Sequence, residues 1–542
     1  MNATVHRGLQ LQPQTAPVVI SQVPAVIPFP APPVRGPAPF TPRVAAGLMG
    51  VLIAVLVSVF NEHVTSIDLP DVRGALGIGH DEGTWLTALY EAFQVSAMAF
   101  APWCAVTFSL RRFTIAMVAL LAVLATAAPL MPNLSSLYAL FAVQGFAGGA
   151  LPPMLMTVAL RYLPPNVKIY GLGTYALTAT LGPNLSLPLA ALCFEHFGLW
   201  GVFWEPLPLG VVSIVLVAYG LPQDPLRLER CGQFDWRGLL LGFPAICMLV
   251  FGLMQGDRLD WFRSPIICHL FIGGIFLFTM FLLNEWFHPL PFFRIQMLRS
   301  RNLSFAIVAV AVVLVLAVAN IAVPSIYLAE VQRYRPLQTA PLALVVALPQ
   351  VLALPLVSAL CNFRRVDCRW VLAAGLTLMA MSAFGGTYLT SDWFRGNFYP
   401  LQALQVFAQP MAVIPILMLA TMQLAPTDGP FVSGMFNMVK GFATVIAAGL
   451  IDFLVTWREH THSNILLDRF GGSRFVLSGL NTGPVDLASF ARAARDQALV
   501  MTGADINLFM MATVGALLVL LLVLPTRVYP PTLAHVESPA PR

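Results

Sequence analysis

Charge is scarce in this chain. Of 542 residues, 30 are Lys or Arg and 25 are Asp or Glu, together 10%, where soluble domains carry about 25%. The formal net charge of +5 comes from basic residues scattered singly or in pairs through the connections. That excludes the clustered basic face of a nucleic-acid binder. Seven cysteines (Cys104, Cys193, Cys231, Cys247, Cys268, Cys361, Cys368) include no CxxC pair and mostly sit in or beside apolar segments, so they read as packing residues and neither disulfides nor metal ligands. HExxH, GxSxG and a Walker-type glycine loop are also missing. The chain therefore offers no zincin, hydrolase or ATP-driven chemistry. It points to no enzyme, no catalytic residue, no bound metal and no cofactor.

What is present is long apolar sequence. Hydrophobic residues make up 58% of the chain and its mean hydropathy is +0.78. Runs of about 20 apolar residues, the length of a membrane-crossing helix, recur along nearly the whole sequence. The expected spans are 44–69, 83–105, 113–131, 135–158, 168–191, 200–220, 238–256, 264–286, 303–328, 337–361, 369–389, 398–421, 432–456 and 504–526. Such runs favour helices over the short alternating strands of a barrel, so the expected fold is an all-α polytopic membrane protein with lipid as its solvent. Residues 1–43 differ. They contain the Pro-rich stretch from Ala25 to Pro33, extended or disordered in character, and read as a retained cytoplasmic tail because no basic stretch leads directly into an apolar core.

With the N-terminus inside, the cytoplasmic connections collect Arg111, Arg112, Arg161, Lys168, Arg227, Arg230, Arg237, Arg294, Arg299, Arg301, Arg364, Arg365, Arg369 and Arg527. The outer loops hold fewer: Arg73, Arg258, Arg263, Arg333, Arg335 and Arg395. This excess satisfies the positive-inside rule, and an even number of spans puts the C-terminal tail, 527–542, inside too. Residues 457–503 form a polar connection on the outer side, helical in parts such as Asp486–Val500. Its length marks it as a functional loop and a meeting surface for a periplasmic partner.

Ionisable residues inside spans are costly and are functional candidates by default. Glu62 in span 1 and Glu91 in span 2 lie at similar depths, each ~12–13 Å below the outer boundary at 1.5 Å per residue. Two carboxyls at one level are placed to share a cavity and a proton; alternatively each is paired or reaches toward the headgroups. His63 adjoins Glu62 and suits proton transfer, but consecutive helical residues point about 100° apart, so the two are not expected to face one spot. Asp68 reads as a helix-end residue. Lys440 in span 13 needs a carboxylate, a carbonyl or water; Asp452, twelve residues on, is about 18 Å away along the axis and should not pair with it. Glu205, near the outer end of span 6, reads as an interfacial acid. Gly182-Pro183, with Pro188 behind it, interrupts span 5 and predicts a bend or hinge. Phe93, Met98 and Phe100 are candidates to line an apolar pocket.

Several segments, in order, carry a resemblance: Gly83–Tyr90, Val143–Ala150 with Gln144 and Gly145, Gly182-Pro183, Trp200–Gly210, Phe234–Gly238 and Trp457–Asn464. Together they resemble the fourteen-helix drug/proton antiporters of the major facilitator superfamily, the EmrB/QacA type, over about residues 44–526. The resemblance implies a six-helix bundle at 44–220, two linking helices and cytoplasmic loops at 221–300, and a second bundle at 301–526 that includes the outer loop. It also implies alternating access and proton-coupled export of small amphipathic compounds across a bacterial inner membrane, with a periplasmic adaptor and an outer-membrane channel as partners. Gly182 and Pro183 would be the core of the antiporter motif, and Gln144 and Gly145 part of the span-4 motif. The pattern departs from the family at four places. The span-1 acid falls on Asn61, with Glu62 next to it; the gating acid of the second connection falls on Val106; the span-4 arginine falls on Phe141; and the two glycines after Gly-Pro fall on Ser186 and Leu187. Glu62 is therefore expected to take the missing acid's role. The altered motifs also leave room for a dedicated exporter of one metabolite, such as a siderophore or an aromatic acid, and for a non-transporting receptor or assembly factor.

Overall fold

The computed structural model describes residues 40–530 apart from 68–72, 75–76, 289, 294, 423–428, 478–486 and 524. The Pro-rich N-terminal stretch and Asp68 lie outside the described residues. Regular structure among the described residues is helical, because a backbone in lipid must satisfy its own hydrogen bonds. The first half comprises α1 (Pro42–Ile67), α2 (His80–Phe108), α3 (Leu110–Ala127), α4 (Leu134–Gly149), α5 (Leu151–Tyr162), α6 (Lys168–Trp204) and α7 (Pro206–Gly220). Two linking helices follow, α8 (Trp236–Gln255) and α9 (Pro265–Phe287). The second half comprises α10 (Arg301–Glu330), α11 (Pro336–Cys361), α12 (Cys368–Gly386), α13 (Arg395–Thr421), α14 (Gly429–Leu477) and α15 (Leu487–Val523).

Among the described residues, twelve helical segments are long and apolar enough to cross a membrane, α4 and α5 forming one of them. The bent pair Lys168–Ser186 and Pro188–Gly198 makes a thirteenth. Helix α2 is the fourteenth by position. Its 29 residues suffice to cross, but it carries Glu82, Glu91 and Gln94 and is less apolar than its neighbours. That is the composition of a helix turned inward, and it packs against α4, α8 and α14.

Helices α1–α7 pack on one another, as do α10–α15, while α8 and α9 pair together against α2 and α14. Small residues set the closest approaches. A Cβ on Gly220 would sit 2.1 Å from the Gly47 nitrogen, joining α7 to α1, and one on Gly145 or Gly149 would sit 2.1 Å from the carbonyl oxygen of Tyr90 or Gln94, joining α4 to α2. The halves meet through α6 with α11 and α2 with α14, and they are in contact at the end where α1 begins and α15 finishes. There the Ser433 hydroxyl donates to the Pro153 carbonyl at 2.8 Å, and Gly173 of α6 abuts Ser358 of α11.

One expectation needs correction. The described residues of 457–503, expected as a polar connection helical only in parts, are helical throughout. Helix α14 continues without a break to Leu477, and α15 begins at Leu487. At 1.5 Å per residue α14 is about 73 Å long, more than twice the ~30 Å hydrocarbon layer, so the two helices extend past the apolar spans as an antiparallel hairpin. Arg458 and His462 clamp it by contacting Asp505 Oδ2, at 2.8 Å from Nε and 2.7 Å from Nε2. The bend expected in span 5 falls at Pro188, the second of its two prolines. The helix continues through Gly182-Pro183 and turns by 45° between Ser186 and Pro188, where the Pro188 ring removes a second amide donor. A further break falls at Gly198, whose φ of 60° belongs to the left-handed region open to glycine.

Candidate functional site

A cavity of about 440 Å³ lies between the halves, within the ~300–1,000 Å³ range of small-molecule sites. Helix α1 contributes Val59, Glu62 and His63; α2 contributes Glu91, Gln94 and Met98; α6 contributes Thr178, Ala179, Pro183 and Asn184. From the second half come Leu314, Ala317, Val318, Ile321, Ala322 and Ser325 of α10, Gln409 of α13, and Lys440, Gly441 and Thr444 of α14. The α10 residues recur at helical spacing and form one mostly apolar wall. The charged groups stand on α1, α2 and α14.

Glu62 and Glu91, which the sequence put at one depth, meet here. Both carboxyls line the cavity, near enough to interact electrostatically, and the Gln94 amide donates to Glu62 Oε2. Gln94 lies one helical turn beyond Glu91, so it shares its face. His63 departs from expectation, since it lines the cavity beside Glu62. The cavity wraps around the end of α1, and the imidazole folds back so that Nδ1 stands 3.0 Å from the Val59 carbonyl and 3.7 Å from Glu62 Oε1. Next to this group, Asn61 is turned away into the protein. It donates to the Tyr90 hydroxyl at 3.3 Å and accepts from the Gln144 amide at 2.8 Å. The expected span-4 residues thus brace α1 from behind: Gln144 through this bond, Gly145 by letting α4 touch α2. Interhelical hydrogen bonds of this kind contribute about 0.6 kcal/mol each in membranes.

Lys440 enters from the opposite side. Its ammonium lies 5.5 Å from the centre of the Tyr175 ring, and the Tyr175 hydroxyl donates to Asn437 Oδ1 at 2.8 Å. A cation over an aromatic face gains about 0.5–2 kcal/mol. Asp452 stands further along α14, near Asp257, and lines no part of the cavity, as its spacing required. Gly441 brings α14 against α2, since a Cβ there would be 3.0 Å from Met98 Sδ. Of the three apolar candidates, Met98 lines the cavity, whereas Phe93 and Phe100 pack on Phe243 of α8, with ring centres 5.1 and 6.4 Å apart. They anchor a linking helix. Glu205 has both carboxyl oxygens buried at the junction of α6 and α7 and does not line the cavity.

Pro183 and Ala179 share the cavity face of α6. Proline has no N–H to offer the carbonyl four residues back, so Pro183 frees the Ala179 carbonyl as an acceptor on that face. Gly182 packs behind, where a Cβ would be 2.6 Å from Val59. Asn184, Gln409, Thr178 and Thr444 were not singled out by sequence reasoning. Uncharged polar residues inside spans were the available signal, and they are too frequent at helix contacts to be sorted without the fold.

A bundle of twelve to thirteen apolar helices among the described residues, with a partly polar chamber between two halves, has the build of a membrane transporter. Residues 51–360 match the Major Facilitator Superfamily, and the chain belongs to that family. It is 21% identical to the multidrug export protein EmrB of Escherichia coli K12 over 76% of this chain and 80% of that one. It is 22% identical to the fatty acid resistance protein FarB of Neisseria gonorrhoeae, over 80% and 83%. In fold it resembles the human organic anion transporter MFSD10 (TM-score 0.54, 12% identity, 88% and 100% covered) and a bacterial homologue of the lysosomal transporter Spinster (TM-score 0.52, 12% identity, 89% and 98% covered). Members of this family are transporters rather than enzymes.

Proposed function

We propose that this protein exports small amphipathic compounds across the bacterial inner membrane by alternating access, with proton entry as the driving reaction. The observation that carries this reading is the carboxyl pair in the chamber. Two carboxyls lining one buried chamber are placed to share a proton, so Glu62 and Glu91 form a place where a proton can be held and released inside the translocation path. His63 and Gln94 are the neighbours that steer the pair. The names of the relatives, a multidrug exporter and a fatty acid resistance protein, support export as the direction.

In this reading the halves 44–220 and 301–526 rock about the chamber, both termini are cytoplasmic, and the contacts at the termini end are the closed inner gate. The α14–α15 hairpin then stands in the periplasm, where its length suits docking to an adaptor that leads to an outer-membrane channel. Deleting the hairpin tip should leave flux in vesicles intact and abolish export across the whole envelope; equal export across the envelope would remove the partner from the reading.

The central test is flux in sealed proteoliposomes under an imposed pH difference. Wild-type protein should move protons and substrate in opposite directions, and Glu62→Gln should reduce gradient-driven flux to that of protein-free vesicles while substrate still binds. Flux in Glu62→Gln equal to wild type would exclude Glu62. Wild-type flux indifferent to the pH difference would exclude proton coupling altogether, and no flux at all would leave a receptor or assembly factor.

A further inference from the structure

Two further carboxyls are buried outside the chamber, where the linking helices begin and end. Asp235 immediately precedes α8 and Glu285 lies in the last turn of α9, 3% and 0% exposed. Asp235 caps α8 by accepting from the Gly238 amide at 2.8 Å, and its other oxygen accepts from the Asn284 side chain. Glu285 Oε2 accepts from the Phe293 amide at 2.9 Å, whereas Oε1 is buried with no hydrogen-bond partner among the described residues. The two carboxyls close on one point: a Cβ on Gly238 would stand 2.5 Å from Asp235 Oδ2 and 2.9 Å from Glu285 Oε1. Among the described residues the basic side chain beside them is His288, with Nδ1 3.9 Å from Asp235 Oδ2. That nitrogen accepts from the Leu290 amide at 3.2 Å, which a protonated Nδ1 could not do, so the ring is neutral here. Neither Arg230, buried in the turn before α8, nor Arg237, exposed on α8, is paired with these acids among the described residues. Helix α2 faces this corner with the rings of Phe100 and Trp103.

We propose that Asp235 and Glu285 form a second proton-binding site, at the corner of the linking helices, in which the two carboxyls share one proton. Two buried carboxylates this close and without a cation repel one another; one proton removes the repulsion and gives Glu285 Oε1 a hydrogen to donate. The proton holds more than the corner. Glu285 carries the Phe293 amide, and the ring of neighbouring Phe292 stands 4.7 Å from Phe100 of α2 and 5.6 Å from Phe234. Phe293 itself packs on Phe281 of α9, ring centres 5.6 Å apart. Loss of the proton drives two anions apart and loosens the chain that leaves α9, and with it the grip on α2, the helix that brings Glu91, Gln94 and Met98 to the chamber. The site stands whether or not the chamber exports anything, since it rests on the corner alone.

The test is amide hydrogen exchange of the full-length protein in nanodiscs, with rates corrected for the intrinsic pH dependence of exchange. The amides of Leu290 and Phe293 should lose protection by at least about tenfold between about pH 6 and about pH 9, the range in which buried carboxyls release protons. Glu285→Gln keeps the shape and the hydrogen bonds without the titration, and Asp235→Asn keeps a capping side chain; either should flatten the pH profile. Wild-type protection that does not change with pH, or a pH-dependent loss that persists unaltered in the variants, would overturn the proposal. So would opening on lowering the pH, which would assign the response to His288. If one variant does not fold, the other decides, and if neither folds the wild-type profile does.

Discussion

Glu62 and Asn61 are neighbours in sequence with opposite surroundings. A 100° step around α1 sends Asn61 into a buried hydrogen-bonded brace with Tyr90 and Gln144 and sends Glu62 into the chamber. The shared depth of Glu62 and Glu91 was legible, because a fixed rise per residue converts sequence distance into height. The position of His63 was not. Angular spacing says where a Cβ points, whereas the ring's own torsions and the width of the cavity decide what it lines. Gln94→Leu removes the amide that orients Glu62 without touching the acids. Gradient-driven flux should fall while the protein remains folded, and a comparison of flux against pH with wild type checks this: an unchanged profile would make Gln94 a packing residue.

At the scale of the helix, contact distance matters more than propensity. Gly145 faces the Tyr90 carbonyl so closely that any side chain must push α4 from α2. Overpacking of this kind costs about 1–3 kcal/mol or more, so Gly145→Val should lower the melting temperature of the purified protein and reduce its folded yield. The start of α12 makes a second case. The Asp367 side chain accepts from the Arg369 backbone amide at 3.0 Å and from its guanidinium Nη2 at 2.7 Å, and Arg369 in turn donates to the Pro525 carbonyl. Burial pushes the Asp367 carboxyl up, but the bonds from Arg369 and the charge of Arg527 outweigh it and hold it below its ordinary value. A carboxyl lowered in the fold stabilises it above its unfolded pKa and loses that contribution as pH falls through the folded value. Asp367→Asn keeps a capping side chain but removes the charge paired with Arg369 and Arg527, so it should destabilise the protein near neutral pH by about 0.2–1 kcal/mol. The difference between mutant and wild type should shrink in melts below about pH 4, the ordinary aspartate range; a difference constant with pH would contradict the assignment.

For the whole molecule the question is whether the halves move. Gly173 and Ser358 come from opposite halves at the termini end, and a Cβ on Gly173 would lie 3.7 Å from that of Ser358, close to the ~3.8 Å mean of a disulfide. In a background without the seven native cysteines, Gly173→Cys with Ser358→Cys should oxidise readily, arrest transport and recover on reduction. Cross-linked protein that transports at the rate of the reduced form would rule out opening at that end. The hairpin also belongs to this scale. Read as sequence, 457–503 is a break in hydropathy; in the fold its described residues belong to two helices held by Arg458, His462 and Asp505. Hydropathy marks where lipid contact ends, not where a helix ends, since an α-helix needs no membrane when a second helix covers one side of it.

The amino-acid sequence by itself determined the helical class and the positions of the spans. In lipid an unpaired amide or a bare charge is so costly that long apolar runs have one outcome. It also marked the charges worth explaining, Glu62, Glu91 and Lys440, because they violate that rule. What the tertiary structure alone decided is which of them face one chamber, which are answered by neighbours, and that α2, the least apolar span, belongs at the centre. Those are relations between helices far apart in the chain. Lipid-facing and protein-facing surfaces are both apolar, so the pattern along any one helix could not have encoded them.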